Sequence, residues 1–168
     1  MRVALFTETF LPKVDGIVTV TCLLLDHLTK RGIETIIVAP RIGKIERYHQ
    51  TPVHTVPAVT FPLYPELKIG PSNYATYQEL KAFKPDVTHF IHPICTGLSG
   101  MWMAKRLRVP TLASFHLDVA RMAHHYRVGF LEPLTHFLTR VIFNAADYSL
   151  APSRLILRQM QAAVVRRV

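Results

Sequence analysis

Short apolar runs alternate along this chain with longer stretches in which apolar residues recur every three or four positions. Residues 3–6 (VALF) form a continuous apolar run, as expected of a strand buried on both faces. From 17 to 30 the period changes. Ile17, Val20, Leu24 and Leu28 mark one stripe of an amphipathic helix. Gly32, just after Lys30-Arg31, suits its C-terminal end, and the two cations suit the negative pole of its dipole. Residues 34–39 (ETIIVA) read as a second buried strand, with Pro40 stopping it. The pattern weakens between 41 and 71. Residues 53–59 (VHTVPAV) fit a strand interrupted or edged by Pro57, and 61–71 (FPLYPELKIGP) an irregular, proline-stiffened loop. Regularity then returns, with helices expected over 74–83, 97–108, 133–145 and 153–163, and strands over 87–91, 111–115 and 148–151. Pro133 fits a first helical turn.

Strand and helix thus alternate about six times, which demands parallel pairing and right-handed crossovers. The expected fold is α/β: a Rossmann-like, doubly wound, mainly parallel sheet with helices on both faces. Ligands of such sheets bind outside the C-terminal strand ends, at the topological switch point. The loops after Phe6, Ile91 and Phe115 are therefore the ones to search.

Composition narrows the class. The chain has 168 residues, enough for one domain with its own core, and we expect residues 1–168 to form one. It is 49% hydrophobic and 18% charged, which is globular and not disordered. The net charge of +9 favours an anionic partner such as a phosphorylated ligand or acidic lipid headgroups. The cations are scattered and do not interleave with aromatics, so nucleic acid is not expected. Cys22 and Cys95 are isolated in apolar context, and no signal segment precedes them, which points to reduced thiols and the cytoplasm. No run approaches the roughly 20 apolar residues of a membrane span.

The chemistry must come from the three loops. The first, TETFLPKVDGIVTV (7–20), holds a single glycine, Gly16, which argues against the G-x-G-x-x-G turn of a dinucleotide dehydrogenase. Two readings of it stand. Asp15 caps the helix and Gly16 eases the turn, or Gly16 lets an anion approach the helix N-terminus. His116 directly follows a strand, where a ring nitrogen can meet a ligand oxygen or a backbone group. His92 is at a strand end, placed for the cleft or for packing. His124 and His125 with His116 lack a metal-ligand spacing, so no metal site is expected. Lys68 either binds an anionic group or stays solvated. Arg121 and Arg127 either meet lipid headgroups or phosphate, or keep their loop wet.

In order, TETFLPKVDGIVTV, RGIETIIVAP, LKIGP, KPDVTHFIHPICTGLSG, RVPTLASFHLDVARMAHHYRVGF and ADYSLAPSRLILRQM cover essentially the whole chain. Their succession resembles the N-terminal domain of GT-B glycosyltransferases of family 4. Within these it is most similar to the glycolipid glucosyltransferases, phosphatidylinositol mannosyltransferases and sulfoquinovosyldiacylglycerol synthases. The resemblance implies retaining transfer of a sugar from a nucleotide-sugar to a lipid, lipid-linked or small-molecule acceptor, with no obligatory metal or other cofactor. It implies that Gly16 approaches the donor diphosphate and that His116 lies beside the transferred sugar. It places Lys68, Asp15 and Thr9 on the acceptor side. The chain departs from the family's Phe-His-Thr at Leu117, and from its His-x-His-Glu-Pro at His89–Pro93, where a carboxylate is missing. Family members continue into a second domain that holds the nucleotide-sugar. The expectation is an acceptor-side half that needs that missing domain and is inactive alone, at the inner face of the plasma membrane. A non-catalytic membrane-surface or lipid-binding module is the alternative.

Overall fold

The computed structural model describes residues 1–61, 64–91, 93–116, 132–162, 165 and 168. Side chains of 64–67, 132–136 and 138 are likewise outside the description. The chain divides into two compact units, Met1–Thr111 and Leu112–Val168.

In the first unit the elements follow the sequence in order. They are β1 (Arg2–Thr7), α1 (Gly16–Lys30), β2 (Glu34–Pro40), β3 (Arg47–Tyr48), β4 (Thr51–Val56), β5 (Val59–Phe61), β6 (Tyr64–Ile69), α2 (Tyr74–Phe83), β7 (Val87–Ile91) and α3 (Thr96–Arg106). The strand order within this unit is β3-β4-β2-β1-β7. Strand β1 pairs in parallel with β2 and with β7, and β2 in parallel with β4. Within this sheet the two-residue β3 runs antiparallel, against β4.

The apolar runs explain this arrangement. Val3 and Leu5 of β1 join Leu25 of α1 and Ile37 and Ala39 of β2 in one buried cluster. The alternate residue Phe6 faces α3, where the ring lies so close to Gly100 that no Cβ fits between them. Side chains alternate across a strand, so α1 and α3 cover opposite faces of the sheet. The doubly wound α/β class expected from the sequence is therefore the observed one. Gly32 ends α1 as expected. At φ 68° it donates to the Thr29 carbonyl, and Ile33 N–H reaches back to Leu28.

The weak stretch differs from expectation. Strand β4 stops at Val56, ahead of Pro57, and residues expected to be a loop form β6. Strands β5 and β6 pair antiparallel as a separate two-stranded ribbon, with Val59 opposite Ile69 and Thr60 opposite Lys68. A two-stranded ribbon has two open edges, which is where a strand tolerates a proline such as Pro65.

The second unit contains most of β8 (Thr111–Ser114), then α4 (Glu132–Ala145), β9 (Tyr148–Leu150) and α5 (Arg154–Ala162). Strands β8 and β9 pair in parallel, Ala113 opposite Ser149. Phe115 packs on Phe143 of α4 at 5.5 Å between ring centroids. Among the described residues no helix is long and apolar enough to cross a membrane.

Candidate active site

In the first unit the chain leaves β1 for β2 on one side and returns to β7 on the other, so the switch point lies between β1 and β7. Thr7 and Ile91 are register partners, so the loops beyond them emerge side by side. These loops precede α1 and α3, and two helix N-termini open at one strand edge.

The loop before α1 is closed by its own polar groups. Asp15 is the N-cap, with Oδ1 accepting from Val18 N–H at 2.8 Å. Its Oδ2 accepts from the Thr9 hydroxyl at 3.4 Å and lies 3.3 Å from Lys13 Nζ. Thr9 is buried, with 5% exposure, and its N–H reaches Thr7 Oγ1. Asp15 is therefore a cap, as one of the two sequence readings held, and Thr9 is joined to it. Gly16 follows directly. A Cβ built on Gly16 meets no protein atom within 4 Å. Its φ is outside the left-handed region as well, so neither packing nor backbone requires glycine there. The first turn of α1 faces open space at this point.

The loop before α3 is filled by a residue that sequence reasoning missed. Glu8 is only 4% exposed. Its Oε1 accepts from the N–H groups of Ile94 at 2.8 Å, Cys95 at 3.0 Å and Gly97 at 2.8 Å, and its Oε2 from Thr96 at 3.1 Å. Burial pushes the carboxyl pKa up from the ordinary range, and the N–H bonds of Gly97, Ile94 and Thr96 pull it back. The four backbone groups bonded to it are donors, which favours the acceptor-only carboxylate against the burial that disfavours it. Gly97 must be glycine, because a Cβ would sit 2.6 Å from Pro93 Cβ and 3.4 Å from Glu8 Oε1. The signal in the sequence was an acidic residue directly after a buried strand, with no cation next to it.

Lys68 is half-buried on β6. Two residues on, the Gly70 carbonyl accepts from the Thr96 hydroxyl at 2.7 Å, and Ser72 Oγ donates to the Thr96 carbonyl at 3.0 Å. The first turn of α3 therefore holds both Glu8 and the chain that carries Lys68.

His116 belongs to the second unit, two residues beyond β8. Its Nε2 is 2.9 Å from Ser114 Oγ. Partial burial lowers its pKa from the ordinary histidine value, so the ring is neutral near pH 7. His92, Arg121, His124, His125 and Arg127 lie outside the described residues. Among the described residues no group of three or more His, Cys, Asp or Glu side chains is placed to hold a metal ion. A shallow concavity lined by Gly32, Glu34, Gln50 and Thr51 lies at the opposite strand ends and carries none of these residues.

The class this defines is a Rossmann-like α/β protein whose switch point brings two helix N-termini together, that of α3 filled by Glu8 and that of α1 capped by Asp15. The fold agrees with that of the UDP-GlcNAc 2-epimerase of Methanocaldococcus jannaschii. It superposes with a TM-score of 0.54 at 13% identity, over 99% of this chain and 43% of that one. Residues 14–167 match the model of Glycosyltransferase Family 4, and the chain belongs to that family. It is 34% identical over 173 aligned residues to a GDP-mannose-dependent alpha-mannosyltransferase of Mycolicibacterium smegmatis, covering 100% of this chain and 46% of that protein. It is 25% identical to an alpha-monoglucosyldiacylglycerol synthase of Streptococcus pneumoniae, over 93% of this chain and 36% of that protein. The chain thus spans less than half the length of either relative.

Proposed function

We propose that this chain is the acceptor-side N-terminal domain of a retaining glycosyltransferase that moves a sugar from a nucleotide-sugar to a lipid or lipid-linked acceptor. The observation that carries the proposal is the family match across residues 14–167, whose curated relatives are named as sugar transferases. The lipid acceptor is supported by the diacylglycerol named in one of them.

The chain's own groups suit such a step. The donor diphosphate lies before the first turn of α1, where the N–H groups beyond the one taken by Asp15 and the helix dipole favour an anion. Gly16 leaves that approach open. Asp15 keeps the turn in shape and, with Thr9 and Lys68, lines the acceptor side. His116, neutral and tied to Ser114, offers a polar ring beside the transferred sugar as charge develops on the leaving group. No metal takes part in this scheme. The sugar nucleotide binds mainly to a further domain, so residues 1–168 alone do not turn over, and the whole enzyme works at the cytoplasmic face of a membrane.

The test is transfer by the intact protein with GDP-mannose as first donor and a diacylglycerol lipid as first acceptor. Other nucleotide-sugars and small acceptors follow. Labelled glycolipid is the expected product. Absence of transfer across donors and acceptors, with lipid vesicles still bound, supports the non-catalytic lipid-binding alternative and overturns the proposal.

A further inference from the structure

The buried carboxylate of Glu8 is the strongest polar feature that the scheme above leaves unused. Two helix N-termini meet at this switch point, and the chain fills that of α3 with the Glu8 carboxylate, which takes four backbone N–H groups where the Asp15 cap of α1 takes one. The contacts extend in both directions. On one side Glu8 is bracketed by Thr7 and Thr9, which are bonded to each other, and Thr9 is bonded to the Asp15 cap of α1. On the other side Thr96, whose N–H meets Glu8 Oε2, gives its hydroxyl proton to Gly70 at the end of β6. Ser72 adds a second tie, donating its N–H to Ser99 Oγ at 2.8 Å. Hydrogen bonds of 2.7–3.4 Å, joined through the backbone of residues 7–9, therefore connect the loop of Asp15 and Gly16, through the first turn of α3, to the ribbon of Lys68.

We infer that Glu8 is a positioning residue, which uses the first turn of α3 to hold the loop before α1 and the β5–β6 ribbon in one fixed arrangement. Its functional consequence rests on the proposed transferase reading, in which these two segments line the acceptor side. Glu8 does not touch substrate. It is enclosed by four backbone donors, and its effect passes through Thr96 and the loop that follows it. The carboxylate also closes the α3 N-terminus to any competing anion, whereas the Asp15 cap takes one N–H of the first turn of α1, that of Val18.

Glu8→Gln tests this with little change in shape. Its amide oxygen can still accept at the Oε1 position, but its NH2 then faces the Thr96 N–H. Hydrogen–deuterium exchange of the intact protein is compared with wild type. The expected result is faster exchange at 94–97 and also at 68–70, with β1 and β2 unchanged. Thr96→Val removes the hydroxyl tie to Gly70 while keeping the Thr96 N–H on Glu8, and is expected to loosen 68–70 while leaving 9–16 as in wild type. Unchanged exchange at 68–70 in both variants overturns the inference. In the transfer assay Glu8→Gln is expected to raise the acceptor KM about tenfold with kcat within about twofold, as loss of ground-state positioning does. Glu8→Asp, one methylene short of the four donors, is expected to rescue only in part. An unchanged acceptor KM, or full rescue by Asp, also overturns it. If wild type shows no transfer, the transferase reading fails, and the exchange data alone decide whether the path exists.

Discussion

Asp15 uses both carboxylate oxygens inside the chain, one on Val18 N–H and the other near Lys13 and Thr9. Asp15→Ala removes a helix cap and is expected to cost about 1 kcal/mol, read by urea unfolding. Gly16, beside it, has no structural task of its own. Gly16→Ala is expected to leave the fold intact, gain up to about 1 kcal/mol of stability from helix propensity, and still impair transfer. Loss of stability in that variant would show that the glycine serves the backbone. The histidines give a pH dependence. His54, bonded to Thr76 Oγ1 at 3.1 Å, and His116 both have pKa values lowered by burial. The unfolded chain then takes up protons first. The stability from these neutral rings is complete above about pH 6.5 and is lost as pH falls towards the lower folded-state values. The raised pKa of Glu8 acts in the opposite sense, so the histidine share is read from a difference. The fall in melting temperature from about pH 7 to 5 should be smaller in His54→Gln than in wild type.

At the scale of elements, the well-predicted pieces are those whose neighbours in sequence carry the signal. Strands β1 and β2 carry continuous apolar runs, and β7 a shorter one broken by Thr88 and His89. Helix α1 has apolar residues at helical spacing, although its buried positions are Val18, Thr21 and Leu25 and the expected Val20 is exposed. The β5–β6 ribbon was hidden because Pro62, Pro65 and Pro71 give it the composition of a loop, while its pairing is decided across strands. Glu8 was hidden more deeply. Its partners lie 86 to 89 residues further along, and no local period reports a contact of that range. The first loop was legible as a switch-point loop, whereas its closure by Asp15 and Thr9 is set by hydrogen bonds that no periodicity reports. The fit of α3 on the sheet is equally sharp. Gly100→Ala drives a methyl group into the buried Phe6 ring and is expected to cost about 1–3 kcal/mol in urea unfolding. A neutral result would mean that α3 shifts on the sheet at little cost.

At the scale of the whole molecule, a net charge of +9 and a family of sugar transferases suggest an enzyme that meets anionic ligands. The charge alone did not choose between phosphate, lipid and nucleic acid, because all three are anions. The order of motifs along the chain pointed to glycosyltransferases, and the family match across residues 14–167 agrees with that family. The central claim is sugar transfer assisted by the residues at the switch point and by His116. Its most direct test is incorporation of labelled mannose from GDP-mannose into lipid by the intact protein, wild type beside His116→Ala. Label is predicted to enter the lipid fraction with wild type and to fall about 10²–10³-fold in the variant at unchanged circular dichroism. Equal incorporation by the two proteins would contradict the account.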